Sequence, residues 1–230
     1  MLKYIRKRIL KYKEKQIKDD FRTLKIEIQN YELLKPSVWK RIFKCLKKLY
    51  EMYPEIKLGM LDLIKVQKSF QRNNQIAITS FYFEKFELVD ITRLGILINA
   101  NFFNDVKTFA DVKSSTYINI SLNDFVEWVI SHEFGHVLDI HYSILLEKLN
   151  KCRFVEIKTA EKILNNLIFS NEIIKTIQED KTFNAREMSR YATKNHSETF
   201  AEAIAFGYFN SDNESSKKVL EEFQKRRERK

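Results

Sequence analysis

Apolar side chains recur at spacings of three and four from the start of the chain. Leu2, Ile5, Ile9 and Tyr12 make one run, and Ile17, Phe21, Leu24, Ile28 and Tyr31 a second, offset by one slip. That period predicts a single amphipathic helix over residues 1–34. Pro36 suits the first turn of another helix, which the pattern carries from Val38 to Tyr53 before Pro54 stops it. After Gly59 the period falls to two. Leu61, Leu63, Lys65 and Gln67 alternate, and residues 75–83, 95–100 and 116–121 are strand candidates rich in β-branched and aromatic side chains. A small sheet of three or four strands is expected between residues 60 and 121.

The helical period then returns. Asn123 and Asp124 precede a long helix whose apolar positions are Val126, Val129, Ile130, Phe134, Val137, Leu138 and Leu145. Further helices are predicted over 155–169, 183–190, 197–209 and 214–227. Strands followed by helices, not alternating with them, read as an α+β chain. The expected division is a helical, basic N-terminal extension over residues 1–58 and a main domain over 59–230.

Charge sharpens this division. Residues 1–50 carry 16 basic and 5 acidic side chains (+11) and residues 217–230 carry 7 and 3 (+4), which leaves the middle at −5. Basic ends of this kind either meet an anionic partner or dock onto the acidic middle. An amphipathic helix most often packs on its own protein, and no stacking aromatics or arginine cluster favour nucleic acid. The lysine- and arginine-rich end after Gln224 reads as a solvated terminus. Cys45 and Cys152 are too few and too far apart for a disulfide framework, and both are expected as small core residues. No Sec signal peptide is evident, nor any run near the ~18 apolar residues needed for a transmembrane helix. The expected setting is cytoplasmic, or secreted or virion-associated without such a signal.

The chemistry concentrates in His132-Glu133-Phe134-Gly135-His136, within the long predicted helix. On a helix the two histidines are about 40° apart around the axis, so both imidazoles can reach one ion while Glu133 stands beside them. Two nitrogen ligands with a neighbouring carboxylate base is the zinc-peptidase arrangement. Gly135 costs about 1 kcal/mol there relative to alanine, which makes sense if another backbone, a sheet edge or a substrate comes close. A third ligand is then needed. His141 lies nine residues after His132, about 180° around the helix, and faces the wrong way. Glu198 and Glu202 sit four apart on a helix otherwise small or apolar, where a buried, unpaired carboxylate is costly. A capping box with Asn195 would account for Glu198 but not for Glu202.

With Tyr191-x-x-x-Asn195-x-x-Glu198-x-Phe200-Ala201-Glu202-Ala203 following the His-Glu-Phe-Gly-His block, residues 115–225 resemble the catalytic domain of the anthrax lethal factor group of gluzincin metallopeptidases. Related domains occur in bacteriophage and mobile-element proteins. The resemblance implies a zincin-like fold of small mixed sheet, active-site helix and C-terminal helices, and one zinc ion held by His132, His136 and Glu198. It also implies that Glu133 activates water and that Tyr191 stabilises the oxyanion. Glu202, or in its place Asp139, is then suited to receive the second ring N–H of a ligating histidine. Thr199 stands where the family often has a second aromatic, and residues 1–60 carry no matching block. The implied reaction is hydrolysis of peptide bonds in a protein substrate. That substrate would lie extended against the sheet, with 95–101 as the expected edge, and the acidic middle would favour basic segments. Two other readings stay open, a non-catalytic zincin-fold module of a phage or mobile element, and a protein anchored to nucleic acid or acidic membrane by its basic ends.

Overall fold

The computed structural model describes residues 2–70, 75–81, 88–104 and 121–228. It is an α+β structure, and the first 34 residues depart from the expected single helix. Helix α1 spans Leu2–Thr23, strand β1 Glu27–Gln29, and a 3-10 turn Tyr31–Leu33. The break falls at Lys25, which takes the left-handed conformation (φ 58°). The Ile26 N–H bonds the Phe21 carbonyl and the Lys25 N–H that of Arg22, the paired bonds that end helices in a Schellman motif. Glycine usually fills that position, and with lysine there the apolar period ran through the break unmarked. Beyond it, Asn30 Nδ2 donates to the Val66 carbonyl at 2.8 Å, which pins the end of β1 to the sheet.

Helix α2 (Pro36–Met52) begins with its proline in the first turn and buries Val38, Trp39, Ile42, Cys45, Leu46, Leu49 and Tyr50 along one face. Strands β2 (Leu61–Gln67), β3 (Ala77–Phe81) and β5 (Leu94–Asn99) fall where alternation places them, while residues 82, 83 and 116–120 of the expected strands lie outside the described residues. The sheet order is β1-β2-β5-β3, with β1, β2 and β5 parallel and β3 antiparallel to β5. Consequently 95–101 does not offer an edge, because β5 is paired on both sides; among the described residues the outer strands are β1 and β3. A separate two-stranded ribbon joins β4 (Leu88–Asp90) to β6 (Phe154–Glu156).

Short helix α3 (Ala100–Asn104) follows β5 directly, and the long helix α4 (Phe125–Leu146) is the axis of the molecule. It is apolar on nearly every side, as a helix surrounded by protein must be, and packs against α2, β3 and the helices that follow. Arg41 on α2 grips the Glu127 carboxylate with two nitrogens, tying α2 to the first turn of α4. The predicted 155–169 helix is replaced by β6, α5 (Ile157–Asn165) and α6 (Ile168–Gln178), and 183–190 by a 3-10 turn at Ala185–Glu187. Helices α7 (His196–Tyr208) and α8 (Glu214–Glu228) complete the core. As far as it is described, the basic end is paired with the body. Arg226 pairs with Glu172, Arg227 with Glu55, and Lys218 with Asp180. Cys45 is buried as expected, whereas Cys152 is exposed. Among the described residues no helix is long and apolar enough to cross a membrane.

Lys25→Gly should relieve the left-handed strain at the end of α1. A gain of about 0.5–1 kcal/mol in urea unfolding is expected, net of the glycine's larger unfolded-state entropy. A loss of stability would show that the lysine side chain is needed there.

Candidate metal centre

The centre is made where α4 crosses α7, and Gly135 permits the crossing. A methyl group at this position would stand 2.6 Å from Ala201 Cα and 3.2 Å from the Ala201 carbonyl oxygen. The glycine between the two histidines therefore answers to the backbone of the facing helix. Gly135 lies three residues after His132 and Ala201 three residues after Glu198, so each small residue shares a helix face with its neighbouring functional side chain. Close contact of the two backbones brings together groups more than sixty residues apart.

Asn195 starts α7 by accepting the Glu198 N–H at 2.8 Å on its side-chain oxygen. The first half of a capping box is thus present, while the Glu198 carboxylate turns to the histidines. Glu198 Oε2 lies 3.1 Å from His132 Nε2 and 3.4 Å from His136 Nε2. These approaches are not aligned as hydrogen bonds, and the buried Glu198 Oε2 has no hydrogen-bond partner. Two atoms bound to a tetrahedral zinc at roughly 2.0–2.1 Å would be about 3.3 Å apart. One ligand atom from each of His132, His136 and Glu198 lies within 4.8 Å of the others, so the three fit a metal ion in spacing and in donor type.

Burial grades the site. His132 and Glu202 are closed off at the back, whereas His136, Glu198 and Tyr191 are partly exposed at the front. Burial alone would lower the His132 pKa; the Glu198 carboxylate beside it, with Glu202, outweighs this and lifts it to about 9. Glu198 moves the other way, since the two histidines override its burial and hold it well below the usual carboxylate range. These shifts describe a pocket whose field favours a bound cation. Glu202, fully buried, is pushed up to about 7 despite the neighbouring imidazole. Its Oε1 stands 3.7 Å from His132 Nδ1, on the side of the ring away from Glu198.

Glu133 is also buried and is held from the sheet. Thr79 on β3 donates its hydroxyl to Glu133 Oε2 at 2.7 Å and lies 3.1 Å from the Glu133 carbonyl oxygen. Tyr191 packs edge-on to His132 with ring centroids 5.6 Å apart. Burial, then the Glu198 and Glu133 carboxylates, push its phenol far above the ordinary value, so it remains a proton donor. Thr199, the departure from the resembled pattern, has a use here. It is buried and donates to the Ala192 carbonyl at 2.7 Å, fastening the turn that carries Tyr191 to α7. His141 is not in the cluster; its ring lies edge-on to Tyr142. Asp139 does not meet a histidine directly but accepts the Ser170 N–H at 2.9 Å. Two members were missed from the sequence, Thr79 behind Glu133 and Ser197, whose Oγ is 3.1 Å from His136 Nδ1. Neither stands at a spacing that could have signalled it.

Gly135→Ala is expected to destabilise the fold by about 1–2 kcal/mol, because overpacking against a backbone exceeds the gain in helix propensity. Ala201→Gly should not restore the loss, since the nearest obstructing atom is Cα. Denaturant unfolding of the single and double variants checks both, and a stable Gly135→Ala variant would disprove the close crossing. Comparison with protein-family models, with curated proteins and with solved structures found no match to this chain.

Proposed function

We propose that the chain is a zinc-dependent endopeptidase with a zincin-like catalytic domain of the anthrax lethal factor type. The observation that carries this reading is the convergence of His132 Nε2 and His136 Nε2 on a Glu198 oxygen with no hydrogen bond of its own. The two sequence blocks that carry the resemblance are the two halves of this cluster. His132, His136 and Glu198 would hold the ion, a His₂Glu set that leaves a coordination position for water. Bound zinc supplies a water of near-neutral pKa and polarises the scissile carbonyl.

The remaining groups have work suited to peptide hydrolysis. Thr79 fixes the Glu133 carboxylate through Oε2, and Oε1 accepts the proton of the attacking water and returns it to the leaving amine. Tyr191 donates its phenolic proton in a hydrogen bond to the oxyanion that develops on the carbonyl carbon. One water is consumed, and a carboxylate and an amine are released. A metal held only for structure would need neither a buried carboxylate oriented from the sheet nor a phenol at the front of the cluster.

The substrate would lie along β3. The Asn99 N–H bonds the Ile76 carbonyl, and alternation in an antiparallel pair then turns Ile78 and Ser80 toward β5. The backbone groups of Ala77, Thr79 and Phe81 are left facing outward, where among the described residues no strand pairs with them. An extended peptide can add there as a further strand. Thr79 would then serve twice, through its backbone to the peptide and through its hydroxyl to Glu133.

The wild-type chain should bind one zinc ion and cleave casein or a basic peptide library. Glu133→Gln should keep the metal and lose about 10²–10⁴-fold in kcat, and Tyr191→Phe should lower kcat by up to about 10³-fold with little change in KM. Zinc binding without cleavage by wild type, across acidic and basic libraries alike, would leave a non-catalytic metal module instead.

A further inference from the structure

Each ligand histidine has a carboxylate behind it, but the two are reached differently. Glu202 Oε1 faces His132 Nδ1 directly across 3.7 Å. Behind His136 the order is imidazole, hydroxyl, carboxylate. His136 Nδ1 is 3.1 Å from Ser197 Oγ, and Ser197 is among the groups that favour the charged form of the Asp139 carboxylate against its burial. Asp139 is completely buried. Its Oδ1 caps the first turn of α6 through the Ser170 N–H, with Ser143 Oγ serving the Phe169 N–H beside it. Its Oδ2 is buried without a hydrogen-bond partner. Capping therefore explains one oxygen of this carboxylate and does not use the other.

A serine hydroxyl can donate or accept, so Ser197 alone would leave His136 free to adopt either tautomer. A carboxylate only accepts. It draws the Ser197 proton toward itself, and Oγ is then left to accept from His136 Nδ1–H. That fixes the lone pair on Nε2, the nitrogen 3.4 Å from Glu198 Oε2. We infer that Ser197 and Asp139 are positioning residues which act in series, holding His136 in the tautomer that binds metal. The inference rests on the zinc-site reading above and assigns each histidine its own carboxylate, Glu202 to His132 and, through Ser197, Asp139 to His136.

Zinc affinity of the full chain, measured by competition with a chelator, tests it. Ser197→Ala removes the relay without touching the α6 cap and should weaken zinc about 10–100-fold, while Ser197→Thr, which keeps a hydroxyl, should stay within a few-fold of wild type. Asp139→Asn keeps an oxygen for the Ser170 N–H but presents an amide donor to Ser197. It should lose at least as much as Ser197→Ala, and the double variant no more than the worse single. A series arrangement demands that lack of additivity, which separate structural effects would not produce. Unfolding curves run alongside should show Ser197→Ala folded. Unaltered affinity in folded Ser197→Ala, or additive losses in the double variant, overturns the relay while leaving the metal site standing. Failure of wild type itself to bind zinc removes the metal site and the relay with it.

Discussion

Everything at the centre depends on how closely two helices can approach. With no side chain at position 135, the backbone of α7 reaches that of α4, and the contact at Ala201 fixes their relative height and rotation. His132 and His136 then face Glu198, and His132 also faces Glu202. A methyl group at Gly135 would push α7 outward, and spacings of 3.1 and 3.4 Å leave little room for that. Once the crossing is set, local devices orient the side chains. Asn195 starts α7 so that Glu198 falls in its first turn, and Thr199 ties the Tyr191 turn to the same helix.

The crossing is expensive in another respect. His132, Glu133, Asp139 and Glu202 are all buried around it, although burying ionisable groups costs several kcal/mol each unless they are well paired. The rest of the core is aliphatic and aromatic. A chain selected only for stability would place apolar residues here. Several of these groups also have unmet hydrogen-bonding capacity, including His132 Nδ1, Asp139 Oδ2 and both Glu202 oxygens. Concentrating perturbed titratable groups at one point of an otherwise apolar interior is the physical mark of a site built for chemistry or for a cation.

What the sequence disclosed follows from the range of the interactions involved. Helix α4 and the strands β2 and β5 were legible because burial imposes a period on consecutive residues. The meeting of His132, His136 and Glu198 was legible because a spacing of four puts both histidines on one helix face and because two blocks agreed in order. Gly135 indicated an approaching backbone, though not that it belonged to α7. The end of α1 was hidden because lysine, not glycine, adopts the left-handed turn at position 25. The rank of β5 in the sheet was hidden because strand order depends on crossovers that leave no periodic trace. Thr79 and Ser197 act across 54 and 61 residues of sequence, and a lone hydroxyl residue carries no sign of what it will face.

Charge shows why a balance counted along the chain must be recounted in space. The acidic middle suggested a taste for basic substrates, yet three of its carboxylates, Glu55, Glu172 and Asp180, are paired with Arg227, Arg226 and Lys218 of α8. The basic C-terminal segment thus docks onto the acidic middle, and the +4 of one offsets most of the −5 of the other. Little net charge remains there to select a substrate from a distance. The described ion pairs of α1 are, by contrast, internal to the helix, Lys18 with Glu14 and Arg22 with Asp19, so they leave its net charge unchanged. On the proposed reading, selection of a peptide would then fall to short-range contacts along β3 and around the two histidines.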